Sequence, residues 1–314
     1  MSFYAHLIAR TPKFDFVGKR IPAFVLTAAL IIGTFVSIAT RGFNFGIDFA
    51  GGILVEVQSI DGPANIANMR DVLGNLGLGE VSLQQFGESG RDVMVRVQKQ
   101  DGDEKVQMAA LAKVKDTLGN GYEYRRVEIV GPKVGDELKR DGVLAVILAV
   151  LAIAAYVWFR FEWQFGAGAL IATFHDVVLT FGFFSITGME FNLTSVAAIL
   201  TIAGYSINDT VVIYDRVREN LRKYKTLSLY DLLNLAVNET LARTFLTVAT
   251  VFVTVLALLL LGGDVLHGFA AAMLWGLVVG TFSSMYVAIP VLIYFKIRVG
   301  KDREEDETAS QAMP

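Results

Sequence analysis

Six apolar blocks, each close to the length of a membrane-crossing helix, limit what this chain can fold into more than any other feature. They run over about Ile21–Thr40, Gly142–Phe159, Phe165–Thr187, Asn192–Tyr214, Phe245–Leu261 and Phe269–Phe295. About twenty residues of helix cover the roughly 30 Å of a bilayer's hydrocarbon. Inside that layer a backbone must satisfy its own hydrogen bonds, which helices do locally. The whole chain is 54% hydrophobic with a mean hydropathy of +0.49, and only 19% of its 314 residues are charged. The expected class is a polytopic α-helical membrane protein with one helix, a polar interval, then five more. Lys19 and Arg20 stand before the first block, but its core is too long for a cleaved signal, so it reads as a retained membrane helix.

Short-loop charges set the orientation, because Lys and Arg concentrate on the cytoplasmic side. Lys13, Lys19 and Arg20 precede the first block, Arg160 follows the second, and Arg216, Arg218, Arg222, Lys223 and Lys225 follow the fourth. Lys296, Arg298, Lys301 and Arg303 follow the sixth. The opposite loops, GMEF near Gly188 and GGDVLH near Gly262, carry no Lys or Arg. Both termini are therefore expected in the cytoplasm, with residues 1–20 as an N-terminal segment, 41–140 outside, and 141–296 as a five-helix bundle. A cytoplasmic loop is expected near 215–241, and the charged tail 297–314 reads as disordered.

The interval 41–140 carries the signals of a small α+β domain. ILVEVQ alternates apolar and polar residues as a half-buried strand does. A helical pattern follows through Ile66, Met69, Val72, Leu73 and Leu76. VSLQQFG and DVMVRVQ bracket ESGR as a hairpin, a second helix covers about Glu104–Leu118, and YEYRRVEIVG supplies a last strand. The order β-α-β-β-α-β is the ferredoxin-like pattern. No acid pair, histidine cluster or phosphate loop marks it as a catalytic domain. The absence of cysteine and the scatter of His6, His175 and His267 leave no basis for a metal site, and no cofactor is expected.

Chemistry is instead suggested by ionisable residues inside the apolar blocks, where a charge costs roughly 2.5–3.5 kcal/mol at mid-helix. His175 and Asp176 lie in the third block and Asp209 toward the end of the fourth. Arg243 stands where the fifth begins. Asp209 is either an interfacial carboxylate reaching water or part of a polar, small-residue face with Tyr205, Ser206 and Asn208. Arg243 is either another positive-inside charge or a partner for Asp209 at similar depth, at the foot of a stripe through Thr244, Thr247, Thr250 and Thr254. Helix neighbours point about 100° apart, so His175 and Asp176 are not expected to share one groove equally. They are either a structural pair or a relay. A carboxylate and a movable arginine in a low-dielectric groove can form a proton relay.

Three motifs carry a resemblance: FNFGIDFAGG (Phe43–Gly52), FRFEWQFGAGALIATFHDV (Phe159–Val177) and GYSINDTVVIYDRVREN (Gly204–Asn220). In this order and on this topology the chain resembles the SecF family of bacterial protein-export membrane proteins, within the RND superfamily. The resemblance covers nearly the whole chain. It implies an accessory subunit of the Sec machinery in the bacterial inner membrane. With SecD it would complete a twelve-helix bundle and use the proton gradient to drive late preprotein translocation. The implied partners are SecD, the SecYEG channel with YajC and YidC, preproteins and the lipid bilayer, with no nucleic acid. The family's proton-site residues fall on Asp209 and Arg243. In the junction motif, Gly46, Gly51 and Gly52 permit tight backbone geometry, and Asp48 is expected to hold its own turn.

Three rivals share some of these features. A proton-coupled RND-type exporter of small molecules or lipids shares the chemistry, but usually carries large external domains in both halves. An intramembrane aspartyl protease would need Asp176 and Asp209 to share a proton, and the chain lacks a Gly-x-Gly-Asp element. A structural scaffold would need neither Asp209 nor Arg243. An Asp–Arg pair suits either H⁺ or Na⁺, and no carbonyl-rich unwound helix points to a sodium cage.

Overall fold

A computed structural model of the chain describes residues 12–87, 89–102, 104–295 and 297. His6, the positive charges at 296, 298, 301 and 303, and the tail expected to be disordered lie outside the described residues, Ile297 excepted. Two compact units result. One comprises residues 1–43, 146–189 and 197–314, the other 44–145 and 190–196.

Among the described residues, six helices are long and apolar enough to cross a membrane. The first is α1 (Arg20–Arg41). In the other unit stand β1 (Asn44–Phe45), the single turn α2 (Ile47–Ala50), β2 (Gly52–Ser59), α3 (Ile66–Gly74), β3 (Val81–Phe86), β4 (Asp92–Val97), α4 (Glu104–Leu118) and β5 (Tyr122–Val130). Then come α5 (Pro132–Arg160), α6 (Trp163–Thr187), the short β6 (Glu190–Phe191), α7 (Leu193–Lys223), α8 (Leu229–Leu261) and α9 (Asp264–Ser283). The last helix continues through a π-helical turn, Ser284–Ala288, a helical piece, Ile289–Val291, and a 3₁₀ turn, Leu292–Phe295. Pro290 explains the irregular stretch: it has no N–H to donate and its ring crowds the carbonyl four residues back.

Burial separates centre from periphery. The most apolar windows of α6, α7 and α9 are 67%, 50% and 67% buried, against 17%, 17% and 11% for α1, α5 and α8. Small residues let the central helices approach closely. A Cβ on Gly182 of α6 would collide with Thr34 of α1, and one on Gly276 of α9 with Ile202 of α7. Ser37 and Ser185 hydroxyls bridge α1 and α6 at 2.8 Å.

Two helices start well before their apolar runs. For α5 the start is Pro132, and proline suits a first helical position because no N–H is needed there. For α8 the start is capped by Ser228, whose Oγ accepts the Asp231 N–H at 3.1 Å. Its first turns bury Leu232, Leu233, Ala236 and Val237 completely. Consequently the loop expected near 215–241 is helical at both ends, and only residues 224–228 lie between the helices. Arg243 sits well inside α8 rather than at its start.

The segment before α1 is held by α8. Asn234 Oδ1 accepts the Phe16 and Val17 N–H groups at 2.9 and 3.0 Å. Asn238 exchanges hydrogen bonds with the Phe14 backbone at 2.9 and 2.8 Å. The Tyr230 hydroxyl and the Gly18 N–H donate to Asp15 and hold its carboxyl below the usual range.

The second unit is the expected ferredoxin-like fold. Its four-stranded sheet runs β3-β4-β2-β5, antiparallel throughout. Val55, Val93, Val95 and Val97 face Met69, Leu73 and Val114 across the core, each at most 1% exposed. The unit departs from the expected continuous 41–140 interval by including 190–196, where β6 pairs in parallel with β1.

Candidate functional site: buried carboxylates in the helical unit

Asp176 is the most deeply enclosed carboxylate among the described residues, 0% exposed on α6. Ser206 Oγ from α7 donates to Oδ2, and Ser283 Oγ from α9 donates to the same oxygen at 2.8 Å. His175 Nδ1 lies 2.8 Å from Oδ1. One carboxylate thus ties together the three central helices. The two side chains do not share one groove equally: Asp176 reaches α7 and α9, while His175 contacts Asp176 from the adjacent position. His175 is 1% exposed, and its Nε2 has no hydrogen-bond partner among the described residues. Next to this cluster Thr210 and Ser284 hydroxyls meet at 3.0 Å, on the π turn of the last helix.

Asp209 is 4% exposed on α7, so it does not sit in open water. Arg243 of α8 and Tyr205, one turn away, are both within electrostatic reach of it. Arg243 is itself exposed, and no ion pair within 4.0 Å joins the two. The Tyr205 hydroxyl and the Thr244 Oγ1 are buried without hydrogen-bond partners among the described residues.

The expected polar face on α7 divides. Ser206 belongs to the Asp176 cluster and Tyr205 is near Asp209, while Asn208, 100° away around the helix, is exposed. The threonine stripe on α8 also changes meaning. Thr247, Thr250 and Thr254 donate to carbonyls of their own helix at 2.8, 2.9 and 2.9 Å, so these hydroxyl protons are occupied.

In the junction motif Gly46 begins α2, and Gly51 and Gly52 take φ values of 72° and 126°. A Cβ on Gly52 would come within 2.5 Å of the Val97 carbonyl. Asp48 does not hold its own turn. Its Oδ2 accepts the Leu193 N–H at 2.9 Å and so caps the start of α7, where a negative charge favours the helix dipole. No sequence pattern pointed to that pairing, nor to Ser283 as a ligand of Asp176.

Comparison with known proteins now adds identity to geometry. Residues 110–298 match the family described as protein export membrane protein SecD/SecF, C-terminal, and residues 36–59 match the SecD/SecF GG motif. The protein translocase subunit SecF of Rickettsia bellii (strain OSU 85-389) is 46% identical over 293 residues, covering 92% of this chain and 95% of that protein. Its namesake from Rickettsia rickettsii (strain Sheila Smith) is 45% identical over 291 residues, covering 92% and 94%. The crystal structure of SecDF, a translocon-associated membrane protein from Thermus thermophilus, superposes with a TM-score of 0.81 at 34% identity. That match covers 95% of this chain but 40% of the SecDF chain. SecDF in its super-membrane-facing form gives 0.63 at the same 34% identity. With two family motifs, near full-length relatives and a shared fold in agreement, the chain belongs to the SecD/SecF family of protein-export membrane proteins, as a SecF.

Proposed function

We propose that this chain works with SecD in the bacterial inner membrane, both termini cytoplasmic. The pair uses the proton gradient to complete preprotein translocation beside the SecYEG channel, with YajC and YidC associated. SecD supplies the missing half of the bundle and a second intramembrane carboxylate. Asp209 is the proton-carrying group, and Arg243 sets its charge state according to how closely the two approach. The observation that carries this reading is the 4% exposure of Asp209 on a membrane helix, with Arg243 within electrostatic reach on the next. A buried carboxylate is costly as an anion unless paired, so its charge responds to small movements of a neighbouring cation. The fixed, fully hydrogen-bonded Asp176 is the pivot that holds α6, α7 and α9 while this happens.

The test is preprotein translocation into membrane vesicles containing SecD and either the native chain or Asp209→Asn. An imposed proton gradient should speed completion of translocation at least tenfold with the native chain and have no effect with the variant, at equal protein abundance. Equal stimulation of both would sink the reading.

A further inference from the structure

The ends of α5 and α7 enclose a cleft of about 500 Å³ lined by Arg160, Asp215, Arg218, Glu219, Arg222 and Lys223. Its α7 residues recur at three- and four-residue intervals, so one helix face is charged over two turns. The two acids are already engaged. Asp215 accepts from Arg160 at 3.4 Å, and Glu219 pairs with Arg216 at 3.0 Å. That leaves Arg218, Arg222 and Lys223 without a carboxylate within 4.0 Å among the described residues.

Two of the three arginines are also held in place. Arg160 and Arg218 guanidinium carbons lie 5.2 and 5.3 Å from the centroid of one ring, Phe161, which is 5% exposed. Cation–π contact of this kind holds a guanidinium still while leaving its N–H donors available.

The depth of the cleft follows from two independent features. The apolar run of α7 ends at Tyr214, and Asp215–Lys223 adds about 13 Å of helix beyond it, comparable with a headgroup layer rather than with hydrocarbon. Tyr156, Trp158, Phe159 and Trp163, 55%, 71%, 95% and 55% exposed, flank Arg160. Exposed tryptophan and tyrosine at one level mark the membrane–water interface.

We propose that this cleft binds the phosphate of an anionic phospholipid headgroup, with Arg218 and Arg222 as its principal ligands. Arg160 and Lys223 flank the site, and the acyl chains lie along the exposed apolar surface of α5. A free phosphate has the same recognition chemistry but lacks those chains. The site rests on these helices crossing a membrane and is independent of the proton chemistry assigned to Asp209.

The full chain would be purified in detergent and its retained lipids counted by native mass spectrometry. Phosphatidylglycerol, phosphatidylcholine and inorganic phosphate would then be titrated separately, with thermal unfolding as a second readout. Phosphatidylglycerol should bind and stabilise, phosphatidylcholine should bind at least tenfold more weakly, and inorganic phosphate should not compete at equal concentration. Arg218→Gln with Arg222→Gln should weaken phosphatidylglycerol binding on the order of thirtyfold, given the attraction of each basic residue to an anionic surface. Arg218→Lys with Arg222→Lys should keep most of it, which separates lost binding from lost folding. Equal binding of both phospholipids, competition by inorganic phosphate as effective as the lipid, or unchanged binding by the double glutamine variant would overturn the proposal.

Discussion

Asp176 and Asp209 are both buried aspartates on central helices, yet their surroundings give them different work. Asp176 accepts from Ser206 and Ser283 and contacts His175, so its oxygens are held by fixed partners. Removing the carboxylate strips the buried Ser206 hydroxyl and His175 Nδ1 of their partner, and each buried polar group left unsatisfied costs about 1–3 kcal/mol. Asp176→Ala should therefore lower the thermal unfolding midpoint of the purified chain strongly. Asp209→Asn, which disturbs no such network, should leave it nearly unchanged. Comparable midpoints for the two variants would contradict the division of roles. Sequence alone marked both carboxylates through their setting in apolar blocks, but could not rank them. The ranking depends on Ser283, an ordinary serine in an apolar run that becomes a ligand only when α9 packs against α6. The contact between His175 and Asp176 was not legible for a different physical reason: the 100° helical interval describes Cβ directions, and an imidazole reaches well past its Cβ.

At the scale of elements, the apolar blocks located all six membrane helices, and the β-α-β-β-α-β alternation located the sheet. The helix starts were less legible. Hydropathy finds the part of a helix that faces lipid, whereas α8 begins in LYDLLNLAVNET, whose apolar residues lie on one face against protein. Periodicity rather than mean hydropathy carries that information. The same early turns hold residues 14–17 through Asn234 and Asn238, and Asp15 through Tyr230. The hydrogen bond from Tyr230 lowers the folded pKa of Asp15, the Gly18 N–H adding to it. The stabilisation from that shift is present above the unfolded carboxylate value of about 3.9 and is lost as pH falls through the lower folded value. Amide exchange at Phe16 and Val17 should thus accelerate as pH drops below about 4, after correction for intrinsic exchange. Asp15→Asn should remove this dependence, and an unchanged profile in that variant would assign the attachment to the asparagines alone.

The whole helical unit has one central trio of helices and three exposed ones, and the exposed ones are not equivalent. On α5 the exposed surface is apolar through Val143, Ile147, Leu148 and Leu151, as lipid contact requires. On α8 the exposed surface carries Arg243, two residues before the apolar run that begins at Phe245. Facing lipid, this cation would have to reach back to the membrane–water interface, so a protein cover that pairs it is the more favourable arrangement. A partner bundle docked on α8 would shield Arg243 and also bring its own groups toward Asp209. This asymmetry predicts where SecD sits. Because the chain contains no cysteine, single cysteines report without background. Thr247→Cys on α8 should form cross-links to cysteines placed in the membrane helices of co-expressed SecD, and Leu151→Cys on α5 should form none. The reverse pattern would move the partner to α5 and leave Arg243 without the neighbour that its position demands.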